Sequence, residues 1–227
     1  MEKRLEKEIL QWDIYSWRKA LNYWEGKIDW ETMENALELG GNKGGLSLWL
    51  AKKGIHTICS DFENVKLAAE PLHKRHNVLD LITYQDIDAT DIMYKNHFDL
   101  IVFKSIVGGI GRNNNLEKQQ KVFDQIHKAL KPGGKLLFAE NLIASPIHQT
   151  LRKKFVTWGD SWRYISLQEM HEFLKPFKNY QIKTNGVMAT FGRSEKQRTL
   201  LSVADRIILN HISPKKWKYI CYGIATK

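Results

Sequence analysis

No stretch of this chain approaches the roughly 20 consecutive apolar residues that a membrane-crossing helix needs, so none of its 227 residues is expected to form a span. Cysteine is almost absent. Cys59 and Cys221 both fall inside strand-like runs, a pattern that supplies neither a disulfide framework nor a zinc site, and no metal is expected. Repeats, low-complexity tracts and a linker-like break in composition are missing as well. The opening MEKRLEKEIL scatters acids among its bases and lacks the uninterrupted apolar core of a signal peptide. With 43% hydrophobic and 26% charged residues, the chain reads as one globular cytoplasmic domain, large enough for a full core.

Acidic residues run short at one end only. Residues 151–227 hold 15 Lys and Arg against 5 Asp and Glu, whereas residues 1–150 hold 20 against 20. The whole formal charge of +10 therefore sits in the last third, a statement about partners rather than about fold.

What is present is organised around Ala36–Ala51, ALELGGNKGGLSLWLA. An apolar run ends in Glu38, a glycine-rich turn follows, and Leu46–Ala51 reads as a helix. Strand, tight loop and helix N-terminus together offer close backbone approach and unpaired N–H groups to a polar ligand. A carboxylate just before the loop would repel phosphate but welcome an ammonium group. A second strand-like run, His56–Ser60, ends in Asp61, 23 positions after Glu38, where a doubly wound sheet holds a ribose diol. Asp88–Ala89 follows a third such run, Phe98–Phe103 is a fourth, and LKPGGKLLFAE ending at Glu140 is a helix end, a turn and a fifth strand.

The periodicity predicts a helix from Glu2 to about Trp24, with Ile14, Trp17, Leu21 and Trp24 as its core-facing stripe. Strands are expected at 33–40, 55–61, 81–87, 98–104 and 135–140, with helices at 45–53, 63–76 (interrupted by Pro71) and 116–130. After Ser145-Pro146 come helices near 147–157, 167–174 and 194–209, and strands at 180–189 and 217–226. This alternation argues for a parallel sheet covered by helices on both faces.

The succession ELGGNKGG, SDFE, DATDI, FDLIVFKS and LKPGGKLLFAEN resembles the class I S-adenosylmethionine-dependent methyltransferases over residues 33–142. The resemblance implies a doubly wound, Rossmann-like sheet of seven strands, mostly parallel, whose antiparallel last strand lies between the fifth and sixth. Residues 1–30 would be a helical cap, 33–142 the cofactor-binding core and 143–227 substrate-side helices and closing strands, with a helical insertion between the last two strands. One departure stands out: Asn42 occupies the place of the loop's usual second glycine, and asparagine is among the residues that tolerate a left-handed turn.

The resemblance implies S-adenosylmethionine as the cofactor. Glu38 would meet its ammonium, Gly40, Gly41, Asn42 and Gly44 would form the turn beneath its amino-acid portion, and Asp61 would accept both ribose hydroxyls. Phe62 would pack on the adenine, with Asp88 and Ala89 at its polar edge. Lys104 and Ser105 face the same crevice at the end of the fourth strand. For the acceptor, the loop Ile106–Asn115 offers Arg112 and Asn113, and the rim of the fifth strand offers Glu140 and His148 as proton acceptors. Each of these is, taken singly, equally readable as an ordinary surface or structural residue.

Methyl transfer from a sulfonium needs alignment more than acid–base groups, so the want of a catalytic triad excludes nothing. FKSI stands where amino-adenine methylases carry Asn/Asp-Pro-Pro-Tyr/Phe, no Pro-Cys nucleophile is present, and the paired-glutamate loop of arginine methyltransferases is missing. The expected acceptor is a small polar anion, such as a sugar or a nucleotide-linked metabolite. One alternative is an RNA methyltransferase using Arg152–Lys154, Lys215, Lys216 and Lys218 with Trp158, Trp162 and Trp217 interleaved. Others are a non-catalytic protein of the same fold and an oxidoreductase with a degenerate dinucleotide loop. Oligomeric state is not legible.

Overall fold

The computed structural model describes residues 2–155 and 161–227, without the side chains of residues 153 and 155. Trp158 and the side chain of Lys153 lie outside the described residues. Seven strands form one sheet: β1 Asn35–Leu39, β2 His56–Asp61, β3 Ile82–Asp86, β4 Phe98–Lys104, β5 Leu130–Asn141, β6 Asn179–Asn185 and β7 Ile220–Thr226. Their order is β3-β2-β1-β4-β5-β7-β6. The first five pair in parallel, and β7 runs antiparallel to both β5 and β6. The order reverses between β1 and β4, so their carboxyl ends flank the crevice where such sheets bind ligands.

Strand residues alternate between two cores. Ala36, Leu100, Val102, Leu137 and Ala139 join the first, whereas Leu37, Ile101, Phe103, Leu136 and Phe138 join the second. The second core is covered by α6 (Leu116–Ala129), whose Val122, Phe123 and Ile126 are buried. The first is covered by α3 (Gly45–Ala51), α4 (Val65–Arg75) and two N-terminal helices, α1 (Lys3–Leu10) and α2 (Ile14–Glu25).

The expected single N-terminal helix is thus two. Gln11 and Asp13 take left-handed φ values of 68° and 46°, which end α1 and start α2 in a new direction. The reason is long-range: Asp13 Oδ2 accepts from Tyr219 Oη at 2.6 Å, and the Asp13 and Ile14 N–H groups donate to Glu195 at 2.8 and 3.3 Å. The expected stripe holds beyond the break, with Trp17, Ala20, Leu21 and Trp24 buried. Each large member contributes about 1.5–3 kcal/mol of docking. Pro71, expected to interrupt its helix, instead lies within a continuous α4. Leu67, whose carbonyl the proline leaves without its helical donor, is an exposed position.

The last third supplies the rest. Helices α7 (Pro146–Phe155) and α8 (Leu167–Phe173) precede β6 and α9 (Glu195–Ala204) follows it, running through a π turn, Asp205–Leu209, into the short α10 (Asn210–Ile212).

Candidate active site

The glycine loop is built from its backbone angles. Gly40, Asn42 and Gly44 have φ of 63°, 50° and 70°, so asparagine does take the left-handed conformation at the position where glycine is usual. Gly41 N–H donates to Ser60 O at 2.7 Å, Asn42 N–H to Asp61 Oδ2 at 2.8 Å, and Gly44 O lies 2.8 Å from His73 Nε2. At Gly45 a Cβ would fall 2.2 Å from the Ile9 carbonyl oxygen, so the second glycine pair lets α1 settle directly on the start of α3.

Glu38 is buried beneath this loop. Its Oε1 accepts from Leu46 N–H at 3.1 Å and its Oε2 from Ser47 N–H at 2.8 Å and from the Ser47 hydroxyl. It serves α3 as a cap contributed from a neighbouring strand. Burial pushes its pKa up to about 7 against the lowering effect of those bonds. The remaining lone pairs border a cavity of about 980 Å³ that Asn42, Lys104, Ser105 and Asn141 also line.

Lys104 enters this cavity at the end of β4. Its Nζ lies 4.6 Å from the Trp12 ring centre and 5.2 Å from that of Trp17. Burial lowers its pKa to about 8, with Glu140, Glu38 and Asp13 pulling the other way. A second, smaller cavity shares Asn42 with the first and is lined by Asp61 and the exposed ring of Phe62. Asp61 ties both sides of the loop, since its Oδ1 also accepts from Phe62 N–H at 2.7 Å.

Several expected residues stand elsewhere or act otherwise. Asp88 is exposed and closes its own turn, accepting from Thr90 N–H and hydroxyl at 2.8 Å each. Neither it nor Ala89 lines a cavity. The nearby acid with a structural part is Asp86, which caps α4 through Asn64 and Val65 N–H at 3.0 Å. Arg112 and Asn113 are exposed and outside both cavity walls. The loop carrying them is largely coiled: Val107–Ile110 forms a short helix, α5, and a Cβ at Gly108 would fall 1.7 Å from Trp162 Nε1. These glycines make room for an indole rather than for motion.

Glu140 is fully buried, with Oε2 accepting from Ile106 and Val107 N–H at 2.9 and 2.8 Å and Oε1 from Asn141 N–H at 2.8 Å. It holds the turn after β4 and is closed to an acceptor. Burial pushes its pKa up to about 7. His148 lines the large cavity, but both ring nitrogens are engaged, Nδ1 with Ser145 Oγ and Nε2 with Val187 O, each at 2.6 Å. The carbonyl requires the proton on Nε2, so the Nδ1 lone pair accepts from Ser145. Burial lowers the pKa further. The ring is a neutral strut, stacked 4.7 Å from Phe191.

The far wall brings together Arg152 and Trp162, named above only for the RNA alternative, with Arg193 and Arg198, which were not singled out. Arg152 is buried there, its NH1 donating to Leu142 O at 2.7 Å and Ile143 O at 3.2 Å, with Tyr164 stacked 3.9 Å from its guanidinium carbon. No carboxylate lies within ion-pair distance of it among the described residues. Arg193 and Arg198 join it, Arg198 already paired with Glu195 at 3.0 Å. Trp162 adds an indole N–H that is buried and lacks a hydrogen-bond partner among the described residues.

Residues 37–138, from the first strand to the fifth, match a family model described as a methyltransferase domain. That stretch is similar to a methyltransferase domain, and the sheet around it has the Rossmann-like fold of the class I S-adenosylmethionine-dependent methyltransferases. A demethylmenaquinone methyltransferase of Clavibacter sepedonicus is 31% identical over 107 residues, 47% of this chain and 41% of its own. Phosphoethanolamine N-methyltransferase 2 of Haemonchus contortus, solved with S-adenosyl-L-methionine, has a TM-score of 0.62 at 20% identity, covering 93% of this chain and 52% of the larger protein. The YcgJ protein of a Bacillus has a TM-score of 0.62 at 13% identity over 92% and 98%. The chain thus spans less than half of the curated relative it matches and about half of the Haemonchus contortus protein. These structures share its fold, and none of its described helices is long and apolar enough to cross a membrane.

Proposed function

We propose that this chain moves a methyl group from S-adenosylmethionine to a small anionic acceptor held in the large cavity, in the cytoplasm, as one domain. The cofactor supplies an activated methyl on a sulfonium. The protein's part is to place it: Asp61 and Phe62 suit a ribose and a base in the small cavity. The loop at Gly40–Asn42, Lys104 and Ser105 suit an amino-acid end in the large one. The residues present fit the group, because the two cavities meet at Asn42 and offer a carboxylate at one end and a cation at the other.

The observation that carries the acceptor reading is Arg152, a buried cation in the cavity wall whose described hydrogen bonds run to carbonyl oxygens alone. A charge held that way is costly unless an anion completes it. Arg193 and the unpaired Trp162 N–H extend the same preference along the wall. A neighbour of like fold holds phosphomonomethylethanolamine with S-adenosylhomocysteine, a phosphate-bearing acceptor, and supports testing that class first.

Calorimetry is the first test. The protein should bind S-adenosylmethionine, and Asp61→Ala should weaken binding about ten- to a hundredfold, the loss expected for charge-assisted hydrogen bonds. Unchanged affinity in that variant would remove the small cavity from the site. Arg193→Ala, on the exposed rim, should raise the KM of a phosphate-bearing acceptor while leaving cofactor affinity alone.

A further inference from the structure

Along α9, the π turn and α10 an apolar line faces water. Leu200 is 72% exposed, Ile207 61%, Ile208 55% and Ile212 71%. Single exposed apolar residues are ordinary, but these share an element. Twelve residues of regular α-helix would carry Ile212 about a third of a turn away from Leu200. The wide turn at Asp205–Leu209 works against that drift and brings the i, i+4 row Leu200, Ala204, Ile208 and Ile212 nearer to one face.

Cations flank this line. Lys196, Arg206, Lys215 and Lys216 are exposed, beside the half-exposed ring of Trp217. The two acids of this stretch do not offset them. Asp205 is buried, accepting from the Val187, Met188 and Ala189 N–H groups, and Glu195 is spent on the start of α2 and on Arg198.

We propose that this face docks on an anionic lipid bilayer, with α9 to α10 lying in the headgroup plane. An aligned apolar row beside Lys, Arg and Trp matches both layers of such a surface. A nucleic acid would satisfy the cations and leave the isoleucines in water. A second copy would satisfy the isoleucines and, in a two-fold contact, bring the same cations together. The docking face is also fastened to the cavity: Asp205 grips the segment 187–189, and Phe191 and Arg193 just beyond it line the wall.

The proposal does not depend on the methyltransferase reading, and flotation of the full chain tests it. Vesicles of phosphatidylcholine mixed with phosphatidylglycerol should carry the protein upward, with at least about tenfold less bound to phosphatidylcholine alone or at high salt. Ile208→Asp and Ile212→Asp, both at exposed positions, should each weaken flotation about tenfold while circular dichroism and calorimetric binding of S-adenosylmethionine stay as in the parent. Failure to float with the mixed vesicles would overturn the proposal, as would flotation untouched by Ile208→Asp. A dimer in sedimentation velocity that Ile208→Asp dissolves, without flotation, would give the face to a second copy instead. A protein that floats but binds no S-adenosylmethionine would sink the methyltransferase reading and leave this one standing.

Discussion

Glu38 stabilises the start of α3 only by leaving water, and the two effects oppose each other in pH. Its folded pKa of about 7 stands above the ordinary glutamate value of 4.5, so the folded state holds the proton more tightly than the unfolded chain does. The resulting stability is present at low pH and is lost as pH rises through about 7. Glu38→Gln cannot ionise. Between pH 5.5 and 8 the parent should lose about 2 kcal/mol relative to that variant. Urea unfolding of both proteins at the two values measures the difference, and parallel profiles would mean that Glu38 is ionised throughout. Acids such as Glu38 and Asp61 stood out in the chain because each ends an apolar run. Asp13, Asp86 and Asp205 did not, because nothing local distinguishes a surface acid from one that caps a helix or a loop 16–22 residues away, or meets Tyr219 at 206.

Elements followed their periodicity wherever one face met the sheet. β4 and α6 fall within a residue of their expected ends, because alternation and a four-residue apolar spacing each report one buried face. The break between α1 and α2 left no such trace, since both halves keep the same spacing and the kink answers to Tyr219 and Glu195. The loop after β4 hid its packing for a related reason: nothing near Gly108 in sequence marks the Trp162 indole that lies against it. At this scale Asp205 joins two elements. Asp205→Ala strips three backbone N–H groups of their acceptor, at about 1–3 kcal/mol for each that finds no water. A lower urea midpoint and a raised acceptor KM are expected together, through release of the segment beside Phe191. A lower midpoint with KM unchanged would show that the segment does not shape the acceptor wall.

The molecule as a whole is electrically divided. Its first 150 residues are neutral and its last 77 carry +10, part of it on the cavity wall and part on the α9–α10 face. Small anions should therefore compete with the acceptor, and less so as salt screens the field, over about 10 Å at 0.1 M. Pyrophosphate, a nucleotide sugar, a neutral sugar and tRNA, offered at two salt concentrations, separate the cases. Inhibition by the small anions supports the proposed acceptor class. Inhibition by tRNA alone, with a steep salt slope, would move the reading to an RNA substrate, and indifference to all four would end the anionic one. The division was legible in the composition. That the cations split between an inner wall and an outer face was not, because only folding decides which side of α9 or α7 meets the cavity.

Trp24 Nε1 donates to Gly223 O, and Asp13 meets Tyr219, so α2 leans on the last strand of the chain. A ribosome delivers α2 first and β7 last. Throughout elongation Trp17, Leu21 and Trp24 wait without their final partner, a stretch for chaperones to cover. One wall of the cavity is Trp12 and another Arg152 to Arg198, and the bond that Tyr219 gives Asp13, next to Trp12, comes only with the end of that wait. A newborn chain that stalls short of that residue has most of its sheet and no finished place to hold a cofactor.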